Sequence, residues 1–188
     1  MKRKEKEQNR ISTPSSSHFP LSPSQKKEHR EFLELFHPQP GYKLLEVTTH
    51  ADALTQLLID FLIPYDGRLS LSLFPGEHQH FEASEHLKLH TVPDFAKPFR
   101  ALPRDNDIVI LHDVFHRHTS PERILKACYT TLANTGEVII TVPKGEMDIV
   151  KMYEDLEKSE YRAANQIDIF EEYDLVMAKK MHMWGNGL

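Results

Sequence analysis

The run EVIITV, residues 137–142, constrains the fold more than any other stretch of the chain. It is almost wholly apolar and β-branched, with no polar alternation, so a strand formed from it must be covered on both faces. DIVILHDV (107–114) has the same character. Between the two lies a helix-length segment, SPERILKACYTTLANTG, opening on Ser120-Pro121-Glu122. A hydroxyl at the cap, proline at the first helical position and an acid near the positive end predict a helix start there. Gly136 predicts where that helix stops. Strand, helix and strand of this kind specify a crossover between parallel strands.

The same alternation runs through the rest of the chain. Strands are expected at 43–47, 68–74 (RLSLSLF) and 87–92, and helices at 25–37, 51–62 and 147–159. GEHQHFEASEH, between the second and third strands, has no assignable period. QIDIF and YDLVMAKKMHM are separated only by Glu171 and Glu172, which predicts an antiparallel hairpin. The expected fold is therefore α/β: a Rossmann-like, open, mostly parallel sheet with helices on both faces and a C-terminal antiparallel β-hairpin. Residues 1–24, charged and then Ser/Pro-rich, read as a disordered arm ahead of one domain spanning 25–188.

Charge and composition exclude some function classes. Residues 1–30 hold eight Lys or Arg against three Glu, while the whole chain carries a net charge of −5. A basic arm on an acidic body is more often solvated than bound, so nucleic acid is not an expected partner. No apolar run is long enough for a bilayer. No apolar segment follows the charged start, so a secretory leader is not expected and a cytoplasmic location is. Cys128 falls among Ile124, Leu125 and Leu132 on a helix face, where a buried, inert thiol is the expectation. The end, MHMWGNGL, carries a Met/Trp cluster suited to covering a sheet edge or a second copy of the chain.

The stretch from 102 to 145 resembles class I S-adenosylmethionine-dependent methyltransferases of the small-molecule type. The resemblance rests on Asp107 opening the fourth strand, Val114-Phe115-His116 after it, Pro121-Glu122-Arg123 starting the next helix, Leu132-Ala133-Asn134-Thr135-Gly136, and Val142-Pro143. With the closing hairpin it covers roughly residues 40–181. It implies methyl transfer from S-adenosylmethionine to a small molecule, and a fold in agreement with the one read from the residues. The family holds its cofactor with an acid at the end of strand one and a glycine-rich loop. Glu46 matches the acid, but Thr48, His50 and Asp52 stand where the glycines would be, and the seven glycines are at 41, 67, 76, 136, 145, 185 and 187. Ser72, Leu73 and Phe74 occupy the place of a ribose-binding acid, and Asp94 matches an adenine-side acid. The cofactor residues implied by the resemblance are thus Glu46, Thr48, His50 and Asp94.

Twelve histidines cluster around 78–90 and 112–118. In an open α/β sheet ligands bind at the carboxyl ends of the strands. His112, Asp113 and His116 fall there, and a neutral imidazole could take a proton from a nucleophile. The competing reading gives His112 a hydrogen-bonding role at the strand end and leaves the others in solvent. A zinc or nickel site from His116, His118 and His78 or His80 ranks well below that competing reading, because no helical His-x-x-x-His pair accompanies them, so no metal is expected. Two functions remain: methyl transfer to a small molecule, or a non-catalytic methyltransferase-fold protein acting as a binding or assembly module, with a small molecule or a protein as partner.

Overall fold

The computed structural model describes residues 21–181. Helix α1 (Pro23–Leu33) is followed by β1 (Lys43–Ala51), α2 (Ala53–Leu62), β2 (Arg68–His78), β3 (Leu87–Thr91), β4 (Asn106–His112), α3 (Pro121–Thr131), β5 (Leu132–Pro143), α4 (Ile149–Lys158), β6 (Tyr161–Ile167) and β7 (Tyr173–Lys180). The strands form one sheet in the order β3-β2-β1-β4-β5-β7-β6. β1 to β5 are parallel neighbours, and β7 runs antiparallel to both β5 and β6. This is the expected architecture, closing hairpin included. Among the described residues no helix is long and apolar enough to cross a membrane.

Alternation along the strands builds two cores. Leu44, Leu69, Leu71, Ile108, Ile110, Ile139 and Leu175 face α1 and α2, while Leu45, Val47, Val109, Leu111, Val138, Ile140 and Val176 face α3 and α4. β4 and β5 contribute to both, as their unbroken apolar runs require. Helix α1 is a capping-box helix in which the Ser22 hydroxyl accepts from Gln25 N and the Gln25 side chain accepts from Ser22 N. It starts two residues inside the stretch read as an arm, of which residues 1–20 lie outside the described residues.

Helix α3 departs from expectation at both ends. Its Ser120 cap makes no side-chain hydrogen bond, and its last helical residue is Thr131, five positions before Gly136. The stop is supplied by Lys180, whose Nζ donates to the carbonyls of Tyr129 (2.6 Å) and Leu132 (2.7 Å) from a site only 8% exposed. Residues 133–136 instead form a bulge in β5, with Thr135 at φ 67° and Gly136 close under the Asp107 carbonyl. Substituting Lys180→Met would leave two buried carbonyls without a donor. A loss of about 2 kcal/mol in unfolding free energy is expected, readable by urea denaturation at pH 7.

Candidate functional site

Strand β1 does not stop at Val47. It continues through Thr48, Thr49 and His50 to Ala51, and Asp52 caps α2 by accepting from Leu54 N at 2.9 Å. β2 runs on with it past Phe74 through Pro75, Gly76 and Glu77 to His78, pairing His50 with Glu77 and Ala51 with His78 after a register shift at Thr48/His50. The strand-to-helix joint, where a phosphate- or cofactor-binding protein carries an open glycine loop, is here an extra rung of sheet.

Gly76 shows how tightly that rung is closed. A Cβ built at Gly76 would lie 2.0 Å from the Thr49 carbonyl oxygen. His78 locks the tail from its other side: Nδ1 accepts from Ala51 N at 3.2 Å, and Nε2 donates to Phe74 O at 2.7 Å. Gln79 N then donates to Ala51 O. The glycine-free joint thus has its glycine on the partner strand.

The implied cofactor residues are scattered by this arrangement. Glu46 is fully buried beneath α2, where Thr55 Oγ1 donates to its Oε1 at 3.0 Å and Oε2 has no partner. Burial pushes its carboxyl up to about 8, the Thr55 bond working against this and the Asp52 charge with it. At neutral pH it is a neutral acid. Thr48 is fully buried and its hydroxyl turns back on His50, accepting from its N–H and donating to its carbonyl. Asp94 lies on the far loop, accepting from Ala96 N and 3.8 Å from Lys97 Nζ.

His50 belongs to another cluster, centred on Asp113. Asp113 is 1% exposed, sits at φ 56°, and its N–H donates to Thr141 O. Its Oδ2 accepts from Thr49 Oγ1 (2.7 Å) and pairs with Arg117 (2.6 Å), while Thr49 Oγ1 also meets His50 Nδ1 at 2.7 Å. His116 Nε2 lies 3.4 Å from the other carboxylate oxygen and 3.6 Å from Glu146. Thr49, invisible to motif reasoning, is the hinge of this network; its only signal in the sequence is a β-branched hydroxyl between two strand-compatible residues.

The three candidate catalytic residues are therefore divided. Asp113 and His116 lie together on the Thr49–Arg117 side. His112, 8% exposed, instead lines a cavity of about 360 Å³ between the ends of β4 and β5, the start of α2, helix α1 and the β6–β7 loop. Its ring packs edge-on against Tyr173 with centroids 5.1 Å apart, and burial lowers its pKa, with Asp52 and Asp113 opposing. Glu28 fixes α1 as a wall of this cavity by accepting from Glu171 N at 3.2 Å. Glu28, Asp52, Glu171 and Glu172 all line the cavity, and among the described residues no lysine or arginine does.

His118 and His86 have local roles. His118 Nδ1 accepts from Ser120 N, and His86 Nδ1 meets Gly67 O. Among the described residues no three His, Cys, Asp or Glu side chains gather as a metal site. Cys128 is fully buried, and burial raises its thiol pKa.

No protein-family profile matches the chain, and no curated protein matches it. Solved structures do. A SAM-dependent methyltransferase from Aquifex aeolicus superposes with a TM-score of 0.64 at 14% identity, over 85% of this chain and 94% of that one. Haemonchus contortus phosphoethanolamine N-methyltransferase 2, in complex with S-adenosyl-L-methionine, gives 0.64 at 11% identity over 82% and 52%. The CurJ carbon methyltransferase gives 0.59 at 14% over 79%, and this chain spans about half (51%) of its length. Sheet order, reversed β7 and these superpositions agree: the chain has the fold of the class I S-adenosylmethionine-dependent methyltransferases.

Proposed function

We propose that this protein is a non-catalytic methyltransferase-fold module that binds a ligand or protein partner at the carboxyl ends of its strands without using S-adenosylmethionine. One observation carries the reading: the β2 tail is zipped onto β1 where the glycine loop would be, with Gly76 against the Thr49 carbonyl. The residues present do not fit the cofactor. Glu46 is neutral and enclosed under α2, the Thr48 hydroxyl is satisfied within its own strand, and a methionine carboxylate in the remaining cavity would meet Glu28 and Asp52. Neither carboxylate has a lysine or arginine partner among the described residues, and carboxylates in a part-buried space repel a ligand carboxylate strongly enough to matter for binding.

Methyl transfer to a small molecule is the second reading, favoured by His112 facing a cavity large enough for a small substrate. Isothermal titration of the full chain with S-adenosylmethionine and S-adenosylhomocysteine separates the two. No binding at millimolar ligand is expected, together with an unchanged melting temperature. Micromolar binding would overturn the non-catalytic assignment, since ligand at about 100 times its Kd should stabilise the fold by roughly 2.7 kcal/mol.

A further inference from the structure

The polar alternation of β2 and β3 has no role in the crevice. Leu69, Leu71, Leu87 and Leu89 face α2, which places Arg68, Ser70, Lys88 and His90 on the opposite face of the sheet. On that face α3 and α4 cover the strands from β4 onward, but the β2–β3 and β3–β4 connections contain no helix. The loop after β3 covers the carboxyl-terminal end of these strands through Phe95 and Phe99 beside Phe74. It leaves the amino-terminal end open as a groove of about 320 Å³.

This groove is cationic in a protein of net charge −5. Arg68, Lys88, His90 and Arg100 line it, and among the described residues Asp105 is its one acid. That acid is already shared: its two oxygens meet Lys43 Nζ at 2.7 Å and Arg68 Nη2 at 3.1 Å. Lys88 and Arg100 thus add charge that the lining does not balance. Two further groups lack partners. Arg68 Nε is a buried donor with no acceptor. Asn106, 2% exposed on the groove wall, gives its Nδ2 to Thr131 Oγ1 at 2.7 Å and leaves Oδ1 with no donor. Buried polar groups left in this state mark a place for a hydrogen-bonding occupant. The loop carrying Arg100 is held by Thr131 Oγ1 on Leu102 O (2.6 Å) and by Arg104 N on Thr130 O, so the wall is anchored to the end of α3.

We infer that this groove binds a small organic anion of the phosphate-ester class that also bears a hydroxyl. Phosphate oxygens suit Arg68 and the cations of Lys88 and Arg100. A ligand hydroxyl supplies the donor that Asn106 Oδ1 lacks, and the exposed Leu102 side chain offers apolar contact to a short carbon chain. The groove sits at the opposite ends of the strands from the crevice, so the outcome is independent of whether S-adenosylmethionine binds.

The test is calorimetric titration of the full chain, at low ionic strength, with glycerol 3-phosphate and with inorganic phosphate. Saturable binding of both is expected, glycerol 3-phosphate at least threefold tighter. Lys88→Gln and Arg100→Gln, both at exposed positions, are each expected to weaken it at least tenfold, whereas Lys97→Gln leaves it unchanged. Absence of saturable binding at 20 mM, or equal affinity in the Lys88→Gln/Arg100→Gln double variant, overturns the inference. A single-stranded oligonucleotide that displaces glycerol 3-phosphate and loses affinity in the same variants would overturn the small-ligand assignment in favour of nucleic acid.

Discussion

Alanine at Gly76 is expected to lower the melting temperature by about 2–12 °C. The new Cβ would sit 2.0 Å from the Thr49 carbonyl oxygen and 3.0 Å from the Thr49 Cβ. A backbone oxygen in a strand cannot rotate away, so β1 and β2 must separate or the β2 tail must leave the sheet. Overpacking of this kind costs about 1–3 kcal/mol, and each kcal/mol moves the melting point of a domain this size by roughly 2–4 °C. The damage should be local. Hydrogen exchange at Ala51 N and Gln79 N, whose partners are the His78 ring and the Ala51 carbonyl, should accelerate in Gly76→Ala. Exchange at Val109 and Ile110 in the sheet centre should follow only the global change. Unaltered stability with unaltered exchange at the two reporter amides would mean that the β2 tail does not pair with β1, and the proposal of a closed crevice would fall with it.

The long β1–β2 rung also marks where the sequence stops being legible. Strands 68–74, 107–114 and 137–142 are recognisable because each carries its own signal, either strict alternation or an unbroken apolar run. The additional rung has no such signal. Thr48-Thr49-His50 is polar, and Pro75-Gly76 is the kind of pair that ends a strand, so each half reads as loop by itself. Only the long-range fit of glycine beneath a threonine carbonyl makes them sheet. The end of α3 is a second case: Gly136 resembles a stop, but the working cap is Lys180, 48 residues further along the chain than Leu132. At the site, Glu46 and His112 are visible as an acid and a base at strand ends. Burial decides what they do, and the sequence does not display it: Glu46 points under α2, and His112 lines the acidic cavity.

Glu46 provides the second test, because a buried neutral acid leaves its mark on stability as a function of pH. In the unfolded chain its carboxyl ionises near the ordinary 4.5, in the native protein at about 8. Between those values the native state binds more protons than the unfolded one, so stability must fall as pH rises. Its contribution is fully present below about 4.5 and exhausted once pH passes about 8, the reverse of a salt-bridged carboxylate. At roughly 1.4 kcal/mol per pH unit, the loss between pH 5 and 8 is about 3 kcal/mol. The histidines work the other way. Burial lowers His29, His112, His116 and His118, so those groups destabilise the fold as pH falls through and below the ordinary 6.5. The diagnostic is therefore the difference between the wild type and Glu46→Gln across pH 5–8, not either profile alone. Glutamine keeps the acceptor for Thr55 Oγ1, and its amide adds a cost that does not vary with pH. Urea unfolding at half-unit intervals is expected to show the variant gaining on the wild type by about 3 kcal/mol from pH 5 to 8. Parallel profiles would mean that Glu46 is ionised in the native protein. A charged carboxylate within β1 beneath α2 would reopen the site to a cationic ligand group, and with it the methyl-transfer reading.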